Sequence, residues 1–248
     1  MNINYKKGLH IGADGCRGGW IAAVLDYGEL RIERYQSIGE LVASYPVFDS
    51  FLIDMVIGLR DNSKQLRPDD LARKELGSRS STVFPVPSRA AVYAEGIQEQ
   101  KKANLLTLGK SLAMQTINII PKIRELDEFL AENPNYQNKI RESHPELDFA
   151  RLKGSVLQSR KKDPEGAAER IAVLNQFLPG TAIPDPGIAS KELRCKPDDI
   201  LDAVCLSVTA ALLSLGLCET IPENPEQDRN GLLMMLTVPA RNLGEMLY

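Results

Sequence analysis

Four aspartates stand at positions where a carboxylate needs a specific reason to be present. Asp14 ends an alternating apolar run in "LHIGADGCRGGW", and Asp54 interrupts the apolar run "FLIDMVIGL". Asp199 and Asp202 open the largely apolar segment "KPDDILDAVCLSVTAALLSLG". Burying an unpaired carboxylate is expensive, so such a group lies at the end of an element, pairs with a donor, or holds a cation. Cation binding is therefore one of the chemistries open to these residues.

Each aspartate also has a structural interpretation. An Asp in a turn often accepts backbone hydrogen bonds, which would account for Asp14, and a donor in the interior would account for Asp54. Acids in the first turn of a helix are favoured by its dipole, which would account for Asp198 and Asp199. Asp202 fits this interpretation poorly because it lies further inside the apolar segment. A helix would place Asp199 and Asp202, three residues apart, on one face.

The N-terminal elements that must position these acids follow from hydrophobic periodicity. Two alternating runs, "LHIGADGC" and "WIAAVLD", flank a glycine-rich turn and predict a β-hairpin with Asp14 at its rim. The run "LRIERYQ" predicts a third strand, and "SIGELVASY" predicts a short helix with Ser37 and Glu40 in capping-box spacing. The run "FLIDMVIGL" is apolar on both faces except at Asp54, which is typical of a central strand.

The middle of the chain is predicted to be mostly helical. The segment "RPDDLARKELG" has proline and acids at its start and glycine at its end, as helix termini prefer. Prolines in "SSTVFPVPSR" predict an extended loop. Helical spacing from Asn104 to Leu130 predicts two helices divided at Pro121.

The C-terminal third is predicted to alternate strands and helices. A strand ends near Glu142 in "NKIRESHPEL", and helices open at Pro145 and Pro164. The segment that carries Asp202 predicts a buried helix because its apolar residues cover most of its surface. The segment "GLLMMLTVP" predicts the last strand.

A basic run, Arg160, Lys161 and Lys162, precedes the helix that opens at Pro164. Such a run is usually a solvated loop, and the alternative is a contact with phosphate. Both interpretations stay open for these three residues.

Composition limits the class of protein. A chain of 248 residues with 43% hydrophobic residues can bury a full core, and we favour one domain with a helical insertion at about 60–135. No apolar run is long enough for a bilayer, and the start "MNINYKK" lacks a signal-peptide stretch, so we expect a cytoplasmic protein. Four cysteines without CxxC spacing and two histidines argue against a structural zinc site. The net charge of −3 shows no basic excess for coating nucleic acid.

Several segments together resemble a known family. They are "GADGCRGGW", "IDMVIGL", "LARKELGSRSSTVFPVP", "PKIRELD", "ESHPELDF" and "DDILDAV", and they look like the successive signatures of domain-of-unknown-function family 429, described as predicted RNase H-like nucleases of the RuvC type. The resemblance implies a ribonuclease H-like α/β fold with a mixed central sheet flanked by helices. One departure is "IDMVIGL", where the family pattern has "IDIPIGL"; the absent proline would relax the strand end that aims Asp54.

The resemblance also implies a function, namely a metal-dependent nuclease of unknown substrate. Its catalytic and metal-binding acids would be Asp14, Asp54, Asp199 and Asp202, with Glu142 of "ESHPE" as a further metal ligand. Two Mg²⁺ or Mn²⁺ ions held roughly 3.5–4 Å apart would activate water and stabilise the leaving oxygen of a phosphodiester. The basic run would bind the substrate, DNA or RNA, and the glycines around Asp14 would let phosphate approach the backbone.

Two other functions stay open. Sugar and acetate kinases of the actin-like superfamily share this strand unit and use a first-strand Asp near glycines to handle Mg-nucleotide, so a phosphotransferase is one alternative. Those enzymes generally need two such domains, whereas this chain shows one candidate first-strand motif. The other alternative is a non-catalytic protein of the same fold that binds nucleic acid or nucleotide.

Overall fold

The computed structural model describes residues 8–246, so the segment "MNINYKK" lies outside the described residues. The strands are β1 (Leu9–Cys16), β2 (Gly19–Asp26), β3 (Glu29–Tyr35), β4 (Ser50–Asp54), β5 (Ile140–Glu142), β6 (Cys218–Ile221) and β7 (Leu236–Pro239). The α-helices are α1 (Ile38–Ser44), α2 (Asp69–Leu76), α3 (Arg89–Val92), α4 (Ile97–Leu108), α5 (Met114–Glu132), α6 (Pro145–Lys153), α7 (Pro164–Phe177), α8 (Pro186–Leu193), α9 (Pro197–Ser214) and α10 (Leu243–Met246). Short 3-10 helices cover Gly77–Thr82 and Pro134–Tyr136.

The expected α/β architecture with a mixed central sheet flanked by helices is confirmed. The sheet has five strands in the order β3-β2-β1-β4-β5. The strands β1, β2 and β3 pair antiparallel, whereas β1 and β4 pair parallel. The tight turn between β1 and β2 needs a left-handed residue, which Gly18 supplies with φ of +72°. Ser37 caps α1 as its spacing to Glu40 predicts, because its hydroxyl accepts from the Glu40 N–H at 3.1 Å.

Helix α9 packs across one face of the sheet. Gly12 on β1 has Ala23 and Leu52 as its register partners on β2 and β4, so the three share one face. Leu52 packs against Leu206 of α9, and Ala23 belongs to the same apolar cluster as Val204. The predicted buried helix is confirmed.

Helices α6, α7 and α8 pack around α9. Arg170 on α7 is completely buried, and its guanidinium donates to Glu146 Oε2 on α6 at 2.6 Å and to the Gly166 carbonyl at 3.1 Å. It also lies over the Phe149 ring, 5.4 Å from its centre. A buried charge must be paired, so this contact joins α7 to α6.

The chain divides into two compact units. The first comprises Met1–Asp54, Ser143–Glu219 and Thr237–Tyr248, as far as these residues are described. The second comprises Met55–Glu142 and Thr220–Leu236, and the segment predicted as a helical insertion, about 60–135, lies within it.

Inside the second unit, a buried arginine ties three segments together. Arg89 donates to both oxygens of Asp127, at 2.6 and 3.1 Å, and also to Asp228. The Tyr93 hydroxyl donates to Asp127 at 2.7 Å. Since Arg89 lies on α3 and Asp127 on α5, these contacts connect the helices to the segment that carries Asp228.

The prediction that Pro121 divides two helices is wrong. Helix α5 runs from Met114 to Glu132 with Pro121 inside it, and the break falls earlier, at Gly109. Gly109 ends α4 in the left-handed conformation with φ of +70°, which glycine adopts without strain. Ile120 and Ile123 beside the proline are both buried, so packing offsets the hydrogen bond that Pro121 cannot donate.

Three further element boundaries differ from expectation. Strand β4 ends at Asp54 and does not continue through "MVIGL". The predicted extended loop "SSTVFPVPSR" begins inside the 3-10 helix Gly77–Thr82, because proline stops helical structure only from Pro85 onward. Of the predicted last strand "GLLMMLTVP", only Leu236–Pro239 forms a strand, β7, which pairs with β6 in a separate two-stranded sheet. Among the helices of residues 8–246, none combines the length and apolarity needed to cross a membrane.

Candidate metal centre

Asp14 and Asp54 lie side by side on neighbouring strands. They are register partners in the parallel pairing of β1 with β4, as predicted from their places in the sequence. Side chains two residues apart on a strand share a face, so Asp14 points to the same side of the sheet as Gly12. By the same rule, Asp54 points to the same side as Leu52. This is the side of the sheet that α9 covers. Strand β4 ends at Asp54, and the proline of the family pattern is absent from the residues that follow.

The close contact of α9 with β1 brings a third carboxylate to this pair. A Cβ added at Gly12 would lie 2.2 Å from both the Ala203 carbonyl oxygen and the Ser207 nitrogen, so only glycine allows the helix backbone this close. Asp202 precedes that crossing point on α9. One carboxylate oxygen from each of Asp14, Asp54 and Asp202 therefore lies within 4.8 Å of the others. We call these three residues the aspartate triad.

The glycines serve packing rather than the predicted phosphate approach at two positions. At Gly12 the space is filled by the backbone of α9, and at Gly19 an added Cβ would lie 2.2 Å from the Tyr35 carbonyl oxygen on β3. No phosphate can approach the backbone through these two positions.

The aspartate triad is electrostatically unfavourable without a cation, because two of its members are buried and Asp54 is partly buried. Asp14 is 8% exposed and Asp202 is 3% exposed. Burial raises the pKa of Asp14 well above its usual value, and the charges of Asp54 and Asp202 raise it further. Burial is also the main cause of the raised pKa values of Asp54 and Asp202. Like charges gathered in a low-dielectric site favour protonation or the binding of a cation.

Lys161 supplies positive charge beside the aspartate triad. Its Nζ lies 2.8 Å from Asp202 Oδ2 and 3.3 Å from Asp198 Oδ2. Burial alone would lower the pKa of Lys161, but Asp202 and the neighbouring acids raise it above its usual value, so the ammonium stays charged. The sequence left Lys161 either in a solvated loop or in contact with phosphate, and the family resemblance implied substrate binding. Its contact with the acids depends on a separation of 41 residues that no local pattern reveals.

Arg160 and Lys162, the other members of the basic run, are exposed on the same turn. Their predicted contact with a phosphate backbone stays a prediction. Exposure leaves both side chains accessible to a ligand.

Asp199 acts as a helix cap. Its Oδ2 accepts a hydrogen bond from the Lys196 backbone N–H at 2.9 Å, which is the structural interpretation considered for this residue. Asp199 is near enough to raise the pKa of Asp14, but it does not belong to the aspartate triad. Its role as a metal ligand stays a prediction.

Glu142 is committed to protein donors. Arg67 Nη2 donates to both of its oxygens, at 2.7 and 2.8 Å, and the Ile57 backbone N–H donates to Oε2 at 2.8 Å. Burial raises the pKa of Glu142, and Arg67 opposes this shift. Metal binding by Glu142, which stays a prediction, would require these donors to be given up.

Two residues close to Asp54, His144 and Asp148, had no role predicted from the sequence. His144 precedes α6 and lies near enough to Asp54 to lower the pKa of that carboxyl, against the effect of burial. Asp148 is completely buried, accepts from the Ser143 hydroxyl at 2.8 Å, and has its pKa raised to about 8, chiefly by burial. Both belong to the signature "ESHPELDF", which was the available signal for them.

The donor set suits a hard divalent cation. The aspartate triad offers carboxylate oxygens, which Mg²⁺ and Mn²⁺ prefer, and it contains neither cysteine nor histidine. The arrangement therefore fits an oxygen-ligated divalent ion.

Comparisons with known proteins identify the family. Neither the curated proteins nor the solved structures yield a match to the chain. The family described as "Protein of unknown function (DUF429)" matches residues 12–227, a span that contains all of the aspartate triad and Lys161. The chain therefore belongs to the DUF429 family.

Proposed function

We propose that this protein is a metal-dependent nuclease with a ribonuclease H-like fold. The observation that carries the proposal is the aspartate triad, in which Asp14, Asp54 and Asp202 present oxygens within 4.8 Å of one another. These acids come from three elements far apart in the chain. Structural pairing explains Asp199 and Glu142, but it does not explain why three carboxylates, two of them buried and one partly buried, gather in one place.

The order of the elements supports the proposed fold. Three antiparallel strands lead to a parallel strand, with acids on β1 and β4 in register, and a late buried helix adds the third acid. This is the pattern that the sequence resemblance implies for ribonuclease H-like nucleases. Membership of the DUF429 family is consistent with it.

The chemistry of each residue follows from its place. Asp14, Asp54 and Asp202 would hold Mg²⁺ or Mn²⁺, which supplies an activated water and a positive charge for the leaving oxygen. Lys161 adds a fixed positive charge next to Asp202. Arg160 and Lys162 would attract the phosphate backbone and position it without taking part in bond breaking.

The proposed substrate is a nucleic acid, and the proposed location is the cytoplasm. Phosphodiester hydrolysis needs accumulated positive charge at the phosphate, which a divalent ion and Lys161 together would provide. We leave DNA and RNA as two arms of one assay, because phosphate contacts do not distinguish them.

The test is cleavage of labelled single-stranded, duplex and branched DNA and of RNA–DNA hybrids, with Mg²⁺ or Mn²⁺ and with an EDTA control. We expect wild type to cleave at least one substrate and Asp202→Asn to lose at least ~100-fold in rate, since changes outside the ligand shell alone cost 10–100-fold. The matched control is Asp26→Asn, which removes a carboxylate paired with Arg31 on the surface.

The outcomes separate the candidate functions. No cleavage by wild type, or equal cleavage by Asp202→Asn, would refute the nuclease proposal. Binding without cleavage would then favour the binding-protein alternative. Phosphoryl transfer that depends on a nucleotide would favour the phosphotransferase.

A further inference from the structure

Lys161 is held in place by the backbone around it. The turn that carries Lys161 is closed by a hydrogen bond from the Asp163 N–H to the Arg160 carbonyl at 3.0 Å. This turn connects α6 to α7. The mobility of this turn therefore affects whether the Lys161 side chain can move away from the acids when a divalent ion binds.

One anchor of the turn is Glu169 on α7. Its carboxylate accepts from the backbone N–H groups of Gln158, at 3.3 Å, and Ser159, at 3.0 Å, and from Lys153 Nζ at 2.7 Å. Burial would raise the pKa of Glu169, but Lys153 and the two N–H groups lower it to about 2. The anchor therefore stays ionised at neutral pH.

The second anchor is a close backbone contact at Gly166. A Cβ added there would lie 1.8 Å from the Arg160 carbonyl oxygen, so the turn reaches its position only because this residue is glycine. Gly166 also donates its N–H to the Asp163 carbonyl at 2.9 Å. The backbone on both sides of Lys161 is thus fixed against α7.

The charges of the site leave room for one divalent ion. When ionised, the aspartate triad carries three negative charges and Asp198, 3.3 Å from Lys161 Nζ, adds a fourth, whereas the Lys161 ammonium 2.8 Å from Asp202 offsets one of them. One divalent ion neutralises two of the remaining three charges, and a second would leave the site with excess positive charge. A second divalent ion would have to enter beside the Lys161 ammonium, and like charges a few ångströms apart repel each other.

We propose that Lys161 takes the place of the second divalent ion, so that the site binds one metal ion and uses the lysine as its other cation. This inference rests on the proposed metal-dependent function. It replaces the two-ion arrangement expected from the sequence with one ion and one ammonium. The alternative is a lysine whose side chain swings away from the acids and admits two ions. The ion pairs of Lys161 with Asp202 and Asp198, on a turn whose backbone is anchored, argue against it.

The experiment counts Mn²⁺ ions bound to the metal-free full chain. Equilibrium dialysis followed by elemental analysis gives the number of ions per chain for wild type, Lys161→Met and Lys162→Met. Lys161→Met keeps most of the apolar stem and removes the charge. Lys162→Met is the matched control on the same turn, and Lys161→Gln replaces Lys161→Met if circular dichroism shows that the latter does not fold.

We expect one ion for wild type, two for Lys161→Met, and one for Lys162→Met. Two ions in wild type, or one ion in the folded uncharged Lys161 variant, would overturn the role of Lys161 and leave the metal site standing. No bound Mn²⁺ in wild type would instead refute the metal site itself, and with it the proposed function.

Discussion

Asp14 and Asp54 are register partners across the parallel pairing of β1 and β4, and each has an oxygen within 4.8 Å of the other. Parallel strands carry their carboxyl ends to the same edge of a sheet, so two acids at strand ends become neighbours. The third acid, Asp202, is added by α9, which approaches β1 at Gly12. A strand register and a helix contact together produce the aspartate triad.

Metal binding should stabilise the folded protein through Asp14. Mn²⁺ binds the folded aspartate triad and not the unfolded chain, so saturating Mn²⁺ should raise the melting temperature of wild type. At [Mn²⁺] of 100 times Kd, the gain is about 2.7 kcal/mol. Asp14→Asn should lose most of this response, as measured by differential scanning calorimetry with and without Mn²⁺. The control Asp26→Asn should respond as wild type does, and an unchanged response in Asp14→Asn would argue against the site.

Without metal, Asp14 should make stability depend on pH. Its pKa is raised above the usual 3.8 in the folded chain, so the folded state holds a proton that the unfolded state has lost. The stability contributed by Asp14 is complete below pH 3.8 and is lost as pH rises through the folded pKa. Relative to Asp14→Asn, wild type in EDTA should therefore lose stability with rising pH, by at most about 1.4 kcal/mol per pH unit for one proton.

Urea unfolding of both proteins at pH 4.5 to 7.5, chosen as roughly the window above the usual Asp pKa, measures this difference. Saturating Mn²⁺ should remove or reverse the loss in wild type, because the cation replaces the proton. If the unfolding free energy of wild type in EDTA instead rose with pH relative to that of Asp14→Asn, the raised pKa of Asp14 would be contradicted.

Gly12→Ala should disrupt the contact that assembles the site. The added Cβ would overlap the α9 backbone at 2.2 Å, and backbone atoms cannot move aside as a flexible side chain can. We expect a loss of about 3 kcal/mol or more in unfolding free energy. Any folded fraction should bind Mn²⁺ more weakly, because α9 and Asp202 must shift away from β1.

Gly244→Ala is the control for Gly12→Ala, since an added Cβ at Gly244 meets nothing within 4 Å. Urea unfolding should place this control within about 0.5 kcal/mol of wild type, as for other surface substitutions. If both variants lost the same unfolding free energy, the close contact of α9 with β1 would not be the reason for the destabilisation of Gly12→Ala.

Arg160 and Lys162 should govern the salt dependence of nucleic-acid binding. Both are exposed on the turn beside the aspartate triad, and each released counterion contributes to the slope of log K against log salt. Replacing either residue by Ala should reduce that slope by about 0.7–0.9, measured by fluorescence anisotropy in Ca²⁺ to suppress cleavage. A slope unchanged in both variants would restore the solvated-loop interpretation of the basic run.

Features that depend on local patterns could be predicted from the sequence alone. Period-two alternation located β1, β2 and β3, the Ser37 and Glu40 spacing located the start of α1, and an apolar segment predicted the buried helix α9. The same patterns placed Asp14 and Asp54 on strands that prove to be neighbours. Such features are predictable because alternation and capping involve residues only a few positions apart.

Which charged side chains contact one another depends on how distant segments of the chain pack together. Lys161 contacts Asp202, which lies 41 residues away in the sequence, and Arg67 contacts Glu142, which lies 75 residues away. No local sequence pattern could show that Lys161 lies beside the aspartate triad or that Arg67 binds Glu142. Packing around Ile120 and Ile123 likewise kept Pro121 inside a helix that its own propensity would end. The physical reason is that burial and charge pairing depend on distances in space, and these arise only when separate elements pack together.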